Sequence, residues 1–473
     1  MTSFIESLKS LRIQTTNGMD TLQTSGQPLM DLFYKGGAMR GKDIIPMFSL
    51  AYNTDPELAM RIALWLRDAR KGAGERELFR SIIRYLEVVR PPSAFDLLSR
   101  VPELGRWDDL LCVKTPGAKR FVFNMIADAL QAKNGLCAKW MPRKGYIAKQ
   151  LAIHLGLTPK NYRKLIVGLT QVVETQMCNK EWEEINFNHV PSLAHSRYRK
   201  AFARNSTKYS EYTSKLATGE TKINAGAVYP HDVIKGIVRT GSPARLSTAE
   251  VQAINAQWDA MPDYVGNAKV IPMVDVSGSM FTNNNPPAID VALALGLYMS
   301  GKNTGKFKDL ILTFSANPKF EVLKGNVVDK LHQLSRAEWG MSTDIEAALE
   351  AILNVGKQSN LPQSEMPDTL LILSDMQFNQ AVHEDYTDAT AFELTKKLYA
   401  DAGYEMPLIV FWNINDSGGV PVSAHESGVA LVSGYSPAIM ESVLTMDKGS
   451  FTPFNIMLRT IMQDRYEIPG VLW

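Results

Sequence analysis

Asp275-Val276-Ser277-Gly278-Ser279 sets a carboxylate and two hydroxyls at alternate positions directly after the apolar run Val270 to Val274. In a loop, side chains spaced in this way can converge on one hard cation, and a set made only of oxygens suits Mg²⁺ or Mn²⁺ rather than zinc. Two later segments carry matching donors. Gly340-Met341-Ser342-Thr343-Asp344 offers Thr343, with Ser342 as the alternative hydroxyl, and Ser374-Asp375 follows the apolar run Leu370 to Leu373. Alone, the first pentapeptide reads as an Asx-type turn. With its two partners it predicts a metal site of Asp275, Ser277, Ser279, Thr343 and Asp375.

A second group of residues could hold a polyanion. Lys139-Trp140-Met141-Pro142-Arg143-Lys144, Lys160-Asn161-Tyr162-Arg163-Lys164 and Arg197-Tyr198-Arg199-Lys200-Ala201-Phe202-Ala203-Arg204 interleave cations with aromatic rings. Phosphates need Lys or Arg, and unstacked bases need flat faces, so this mixture suits single-stranded or looped RNA. Any one segment alone reads better as a solvated helix face whose aromatics belong to the core. Three in one region favour RNA, with Lys139, Trp140, Arg143, Lys144, Lys160, Arg163, Lys164, Arg197, Arg199, Lys200 and Arg204 as its contacts.

Other signals fail. Gly301-Lys302-Asn303-Thr304-Gly305-Lys306 has one residue too few between its glycines for a phosphate loop and Phe307 where Ser or Thr is needed. The histidines show no paired metal spacing, and Cys112, Cys137 and Cys178 have no activating neighbour in the sequence, so no enzyme is expected.

The elements that must position these residues divide the chain. Of its 473 residues, the first 250 carry 37 Lys and Arg against 23 Asp and Glu, leaving 14 against 26 for the rest. A positive half joined to a negative half suggests that the first faces a polyanion. From Ile44 to about Leu216, apolar residues recur at helical spacing, as in Leu58, Ile62, Trp65 and Leu66, with punctuation at Pro91-Pro92, Pro116-Gly117, Pro142 and Pro159. Residues 1–218 therefore read as a basic α-helical repeat array. Residues 219–264 read as a linker with one short helix starting near Ser247.

From 265 to 473 the rhythm becomes strand, helix, strand. Apolar runs at Val270 to Val274, Leu310 to Phe314, Leu370 to Leu373 and Leu408 to Phe411 alternate with helical patterns, as in a doubly wound α/β sheet. Nothing approaches a membrane span, no secretory leader is evident, and three scattered cysteines fit a reducing compartment, so a cytoplasmic protein is expected.

The Asp-x-Ser-x-Ser loop with its distant Thr and Asp resembles the von Willebrand factor A domain with its metal-ion-dependent adhesion site. The resemblance implies direct ligation by Ser277, Ser279 and Thr343, and water-mediated contacts from Asp275 and Asp375. Two departures stand: Gly-Met-Ser-Thr replaces Gly-Gly-Thr, and Ser-Asp-Met replaces Thr-Asp-Gly. In the helical half, Trp65-Leu66-Arg67-Asp68, Gly72-Ala73-Gly74-Glu75-Arg76-Glu77, Gly105-Arg106-Trp107-Asp108-Asp109-Leu110 and Lys139-Trp140-Met141-Pro142-Arg143 resemble the Ro (TROVE-like) group. They are most similar to its uncharacterised branch in plants, large viruses and phages. That resemblance implies a HEAT-like array, a toroid in Ro proteins, followed by a von Willebrand A domain, and it implies RNA binding. Arg67, Asp68, Arg106, Asp108 and Asp109 are expected as interhelical ion pairs and caps.

The expected function is a non-enzymatic RNA-binding scaffold whose Mg²⁺ or Mn²⁺ takes an Asp or Glu of a protein partner. The alternative is a protein–protein adaptor without RNA, such as the von Willebrand A partner of an AAA+ ATPase.

Overall fold

The computed structural model describes residues 12–15, 20–235, 237–239, 242–243, 246–281, 285–313, 318–335, 344–377, 391–415 and 418–468. Helices come first. α1 (Pro28–Gly36), α2 (Ile45–Thr54), α3 (Pro56–Arg67), α4 (Arg76–Val89) and α5 (Pro91–Leu104) pack in succession. A 3-10 turn, Trp107–Cys112, leads to α6 (Pro116–Gln131), α7 (Gly135–Trp140), α8 (Tyr146–His154) and α9 (Pro159–Leu169). α10 (Val173–Cys178), α11 (Ser192–Asn205), α12 (Thr207–Ala217), α13 (Pro230–Ile234) and α14 (Thr248–Asp259) complete the helical region.

The sequence dictates these boundaries locally. α1, α3, α5, α6, α9 and α13 each begin on a proline, whose missing N–H costs nothing in a first turn. Asp55, Thr115, Asn134, Thr158 and Ser206 accept first-turn amides of the helices they precede. Each helix then buries one stripe: Leu78, Phe79, Ile82, Ile83 and Leu86 of α4 recur at intervals of three and four and lie in the core.

Two cores result. The larger runs from α1 through α9 and on into the α/β region, while the smaller gathers Val173, Ile185, Phe187, Phe202, Tyr209 and Tyr212. The 219–264 stretch supplies Ala249 and Ala253 to that second core through α14, which packs on α11 and α12. Ser247 and Glu250 cap α14 reciprocally, and Gln257 Nε2 donates to the carbonyls of Ser192 and Asn224 at 2.8 and 3.1 Å. Before α13 the chain meets its own beginning, where Tyr229 Oη donates to the Ala69 carbonyl at 3.2 Å. The helical region thus returns on itself.

Apart from a two-stranded pair, Val238–Arg239 with Ser242–Pro243, the described remainder is built on a six-stranded sheet. Its strands are β1 (Val270–Val274), β2 (Leu310–Thr313), β3 (Phe320–Val322), β4 (Thr369–Ser374), β5 (Leu408–Asn413) and β6 (Val429–Ser433), in the spatial order β6-β5-β4-β1-β2-β3. All neighbours are parallel except β3, which pairs antiparallel at the edge. Parallel strands are covered on both faces, so β1, β4 and β6 are apolar runs buried at every position. α15 (Ala288–Lys302) crosses β1, β2 and β4, and only glycine fits at position 296, where an added Cβ would lie 2.5 Å from Val274 Cγ2. α16 (Val327–Leu334), α17 (Ile345–Gln358), α18 (Ala391–Asp401), α19 (Ile439–Leu444) and α20 (Pro453–Ile461) follow in chain order.

The two regions are clasped at both ends of the helical chain. α1 abuts β6, with Gly37 N donating to Ser433 Oγ and that hydroxyl donating to the Phe33 carbonyl, each at 3.1 Å. The fully buried Asp68 accepts from Arg465 Nη2 at 2.9 Å and from Tyr466 Oη at 3.0 Å. At the other end α13 packs on α15.

Candidate functional site

Order 3-2-1-4-5-6 makes the chain leave β1 and β4 in opposite directions, which opens a crevice beyond their carboxyl ends. Asp275 follows β1 and Asp375 follows β4; since Val274 pairs with Leu373, Asp275 lies opposite Ser374 and Asp375 stands one position beyond. The Asp275 carboxylate organises the loop: Oδ1 accepts the Ser277 N–H at 2.8 Å, and Oδ2 accepts the Ser374 hydroxyl at 2.5 Å. Ser277 Oγ and Ser279 Oγ lie 3.0 Å apart, and Asp375 Oδ1 accepts the Gln377 N–H at 3.3 Å. Met376, at φ +66°, takes the left-handed turn that carries the chain away from β4.

Asp275, Ser277 and Ser279 therefore lie in one loop at the carboxyl end of β1, and Asp375 stands at the carboxyl end of the neighbouring β4. Thr343 and its alternative Ser342 lie outside the described residues, one and two positions before Asp344, which caps α17. Both aspartates are 1% exposed. Burial pushes the Asp275 carboxyl above the usual aspartate range despite the hydrogen bonds from Ser374 and Ser277, and no Lys or Arg among the described residues pairs with it. No group of three His, Cys, Asp or Glu side chains placed to hold a metal occurs among the described residues, so hydroxyls are needed to complete any cation site here.

The basic segments meet elsewhere. Between the start of α8 and the length of α9 lies a cleft of about 810 Å³, lined by Arg143, Lys144, Lys149, Lys160, Arg163 and Lys164 and by no acidic residue. Its floor is Tyr162, buried and donating through Oη to the Pro142 carbonyl at 3.1 Å. Gly145, at φ +92°, turns the chain between the first two cations and α8. Tyr146, the next residue along the chain, is 69% exposed and offers a flat face to solvent.

The other expected contacts separate. Lys139 lies 3.9 Å from Glu174, and the Trp140 ring is covered by the Arg106 guanidinium at 3.8 Å. Arg197, Lys200 and Arg204 are exposed on α11, with no described contact at the cleft. Arg199 is turned inward: it is 8% exposed and donates to the carbonyls of Val233 and Lys235 at 2.8 Å each. That contradicts its expected place among the RNA contacts, because a guanidinium spent on buried backbone carbonyls cannot also reach a phosphate. Lys149 was missed in the sequence, although it stands one helical turn from Gly145. Arg67 and Asp109 pair at 2.6 Å in the interior and Asp108 pairs with Arg80, contacts that join the 3-10 turn to α3 and α4, while Arg106 and Asp108 pair locally at the start of that turn.

No helix among the described residues is long and apolar enough to cross a membrane. Residues 269–462 match the family described as "Domain of unknown function (DUF7788)", and residues 157–268 match "Domain of unknown function (DUF2828)". "Uncharacterized protein L728" of Acanthamoeba polyphaga mimivirus is 29% identical over 511 residues, a stretch covering 94% of this chain and 86% of that protein. Among solved structures, the crystal structure of the Deinococcus radiodurans Ro (RSR) protein is similar at a TM-score of 0.45 and 13% identity, covering 93% of this chain and 100% of that chain.

Proposed function

We propose that this protein is a non-enzymatic scaffold that binds single-stranded or looped RNA in the cleft between α8 and α9. The observation that carries this reading is the lining itself, where six cations from two segments face one concavity with no carboxylate among the described lining residues. Such a concentration of like charge is costly unless a polyanion shares it. The exposed ring of Tyr146 supplies the stacking face that unpaired bases use and paired bases cannot reach.

The α/β region is read as a von Willebrand A type domain that takes an acidic group of a protein partner through a divalent cation, Mg²⁺ or Mn²⁺. Asp275, Ser277, Ser279 and Asp375 fit such an ion as an all-oxygen set, and among the described residues no Lys or Arg pairs with the buried Asp275. Neutral hydroxyls beside the ion leave it attractive to an external carboxylate. An adaptor without RNA is the second reading, favoured by the partner-facing chemistry of that loop alone.

The two part on a simple measurement. Protein purified without nuclease should show an absorbance spectrum with a nucleic-acid contribution, or bind a single-stranded oligoribonucleotide at low salt. If it carries none and binds none, the RNA reading is wrong and the adaptor remains.

A further inference from the structure

The turn from Gly72 to Glu75 delivers the chain to α4 beside a charged cluster that neither site above uses. Arg67 donates to Asp109 Oδ2 at 2.7 Å through Nε, and Arg80 donates to Asp109 Oδ1 at 2.9 Å and to Asp108 Oδ2 at 3.2 Å. Arg106 donates to Asp108 Oδ1 at 2.5 Å, with its flat face on Trp140. These bonds commit both aspartates.

Arg76 is left over. Its nearest counter-charge is Asp109 Oδ1 at 4.0 Å, an oxygen already taken by Arg80, and its buried Nε has no hydrogen-bond partner. Among the described residues no oxygen accepts a hydrogen bond from its guanidinium, yet the side chain is 42% exposed. Burial first, then repulsion from Arg106, lower its pKa below the ordinary arginine value, against the pull of Asp109. Four guanidiniums, Arg67, Arg76, Arg80 and Arg106, face Asp108, Asp109 and the exposed Glu77 that pairs with Arg80 at 2.8 Å, which leaves a formal excess of one positive charge, on the side of Arg76.

We propose that Arg76, flanked by Arg106 and Arg80, binds a phosphate group carrying a terminal, doubly charged end. A guanidinium fork matches phosphate oxygens in pairs, and a phosphomonoester or inorganic phosphate near pH 7 brings negative charge to a cluster left net positive. The site is not the cleft, but it adjoins it along the chain: Trp140, which carries Arg106, is separated from Arg143 at the cleft only by Met141 and Pro142. The end of an RNA held in the cleft could supply the phosphate. That source rests on the RNA reading above, whereas the site does not.

The test titrates the full chain with inorganic phosphate by calorimetry, comparing wild type with Arg76→Gln, Arg76→Lys and Lys357→Gln, an exposed cation outside both sites. The expected result is phosphate binding weakened about tenfold by Arg76→Gln, partly restored by Arg76→Lys and unchanged by Lys357→Gln. In phosphate-free buffer, Arg76→Gln should melt no lower than wild type, because it removes repulsion rather than a bonded pair. Equal phosphate affinity in wild type and Arg76→Gln, no binding by wild type, or clear destabilisation of Arg76→Gln without phosphate would each overturn the proposal. A second arm compares oligoribonucleotides ending in phosphate or hydroxyl. If the phosphate comes from an RNA end, the phosphorylated oligonucleotide binds more tightly and the advantage vanishes in Arg76→Gln. If neither oligonucleotide binds while phosphate still distinguishes Arg76→Gln, the RNA reading fails and the site takes small phosphates.

Discussion

Replacing Arg143, Lys160 and Arg163 together by Gln removes half of the six cations that line the cleft. All three are exposed and enter no ion pair among the described residues, so the fold should be unaffected. Each phosphate neutralised on a single strand contributes roughly −0.7 to the slope of log affinity against log salt, giving about −4 for six contacts and about −2 for three. Between about 50 and 200 mM salt, wild type should then lose roughly 300-fold in affinity and the triple variant only about 20-fold. Fluorescence anisotropy of a labelled single-stranded oligoribonucleotide, at fixed Mg²⁺, reads both slopes. A wild-type slope shallower than about −1, or one that the triple substitution leaves unchanged, refutes the assignment of the cleft.

Three further outcomes are expected. Asp275→Ala removes the acceptor of the Ser277 amide and the Ser374 hydroxyl, and should abolish the rise in melting temperature that Mg²⁺ gives wild type; a surviving rise would discard the metal site. Asp68→Ala leaves Arg465 and Tyr466 without their buried acceptor and should cost about 3 kcal/mol in urea unfolding, with a loss below about 1 kcal/mol arguing against the clasp. Burial lowers the pKa of His195 and of His231 to about 3, aided by Arg199 and Arg40 respectively. A lowered folded pKa means that the stability they confer is complete above the unfolded value near 6.5 and drains as pH falls from there toward 3, by up to about 1.4 kcal/mol per unit per histidine. Urea midpoints at pH 7 and 5 that coincide would contradict this.

Much of the architecture was written in local pattern. Parallel strands buried on both faces must be continuous apolar runs, so β1, β2, β4 and β5 announced themselves, and the Asp-x-Ser-x-Ser loop stood where β1 had to end. The edge strand β3 has only three residues, none fully buried, and leaves almost no signature. β6, Val429 to Ser433, is as apolar as β4 but lies beyond the run of turn residues from Ser417 to Gly419 and went unread. α14 looked like part of a linker because its hydrophobic stripe is weak. Its place comes from the Gln257 side chain, a long-range contact that sequence spacing does not encode.

The basic segments show the same division. Cations and rings mark a region, but not which way each side chain points. On α11, His195, Arg199 and Phe202 stand at intervals of four and three and share the buried face, while Arg197, Lys200 and Arg204 face solvent. That periodicity was present in the sequence and could have set Arg199 apart. The cover of Arg106 over Trp140 joins residues 34 positions apart and could not have been foreseen.

Ultraviolet cross-linking of bound single-stranded RNA, followed by mass spectrometry of the linked peptides, tests the central claim most directly. The account predicts adducts concentrated between residues 143 and 168, with Tyr146 foremost. Adducts confined to α11 or to the α/β region, with none in that segment, would contradict it.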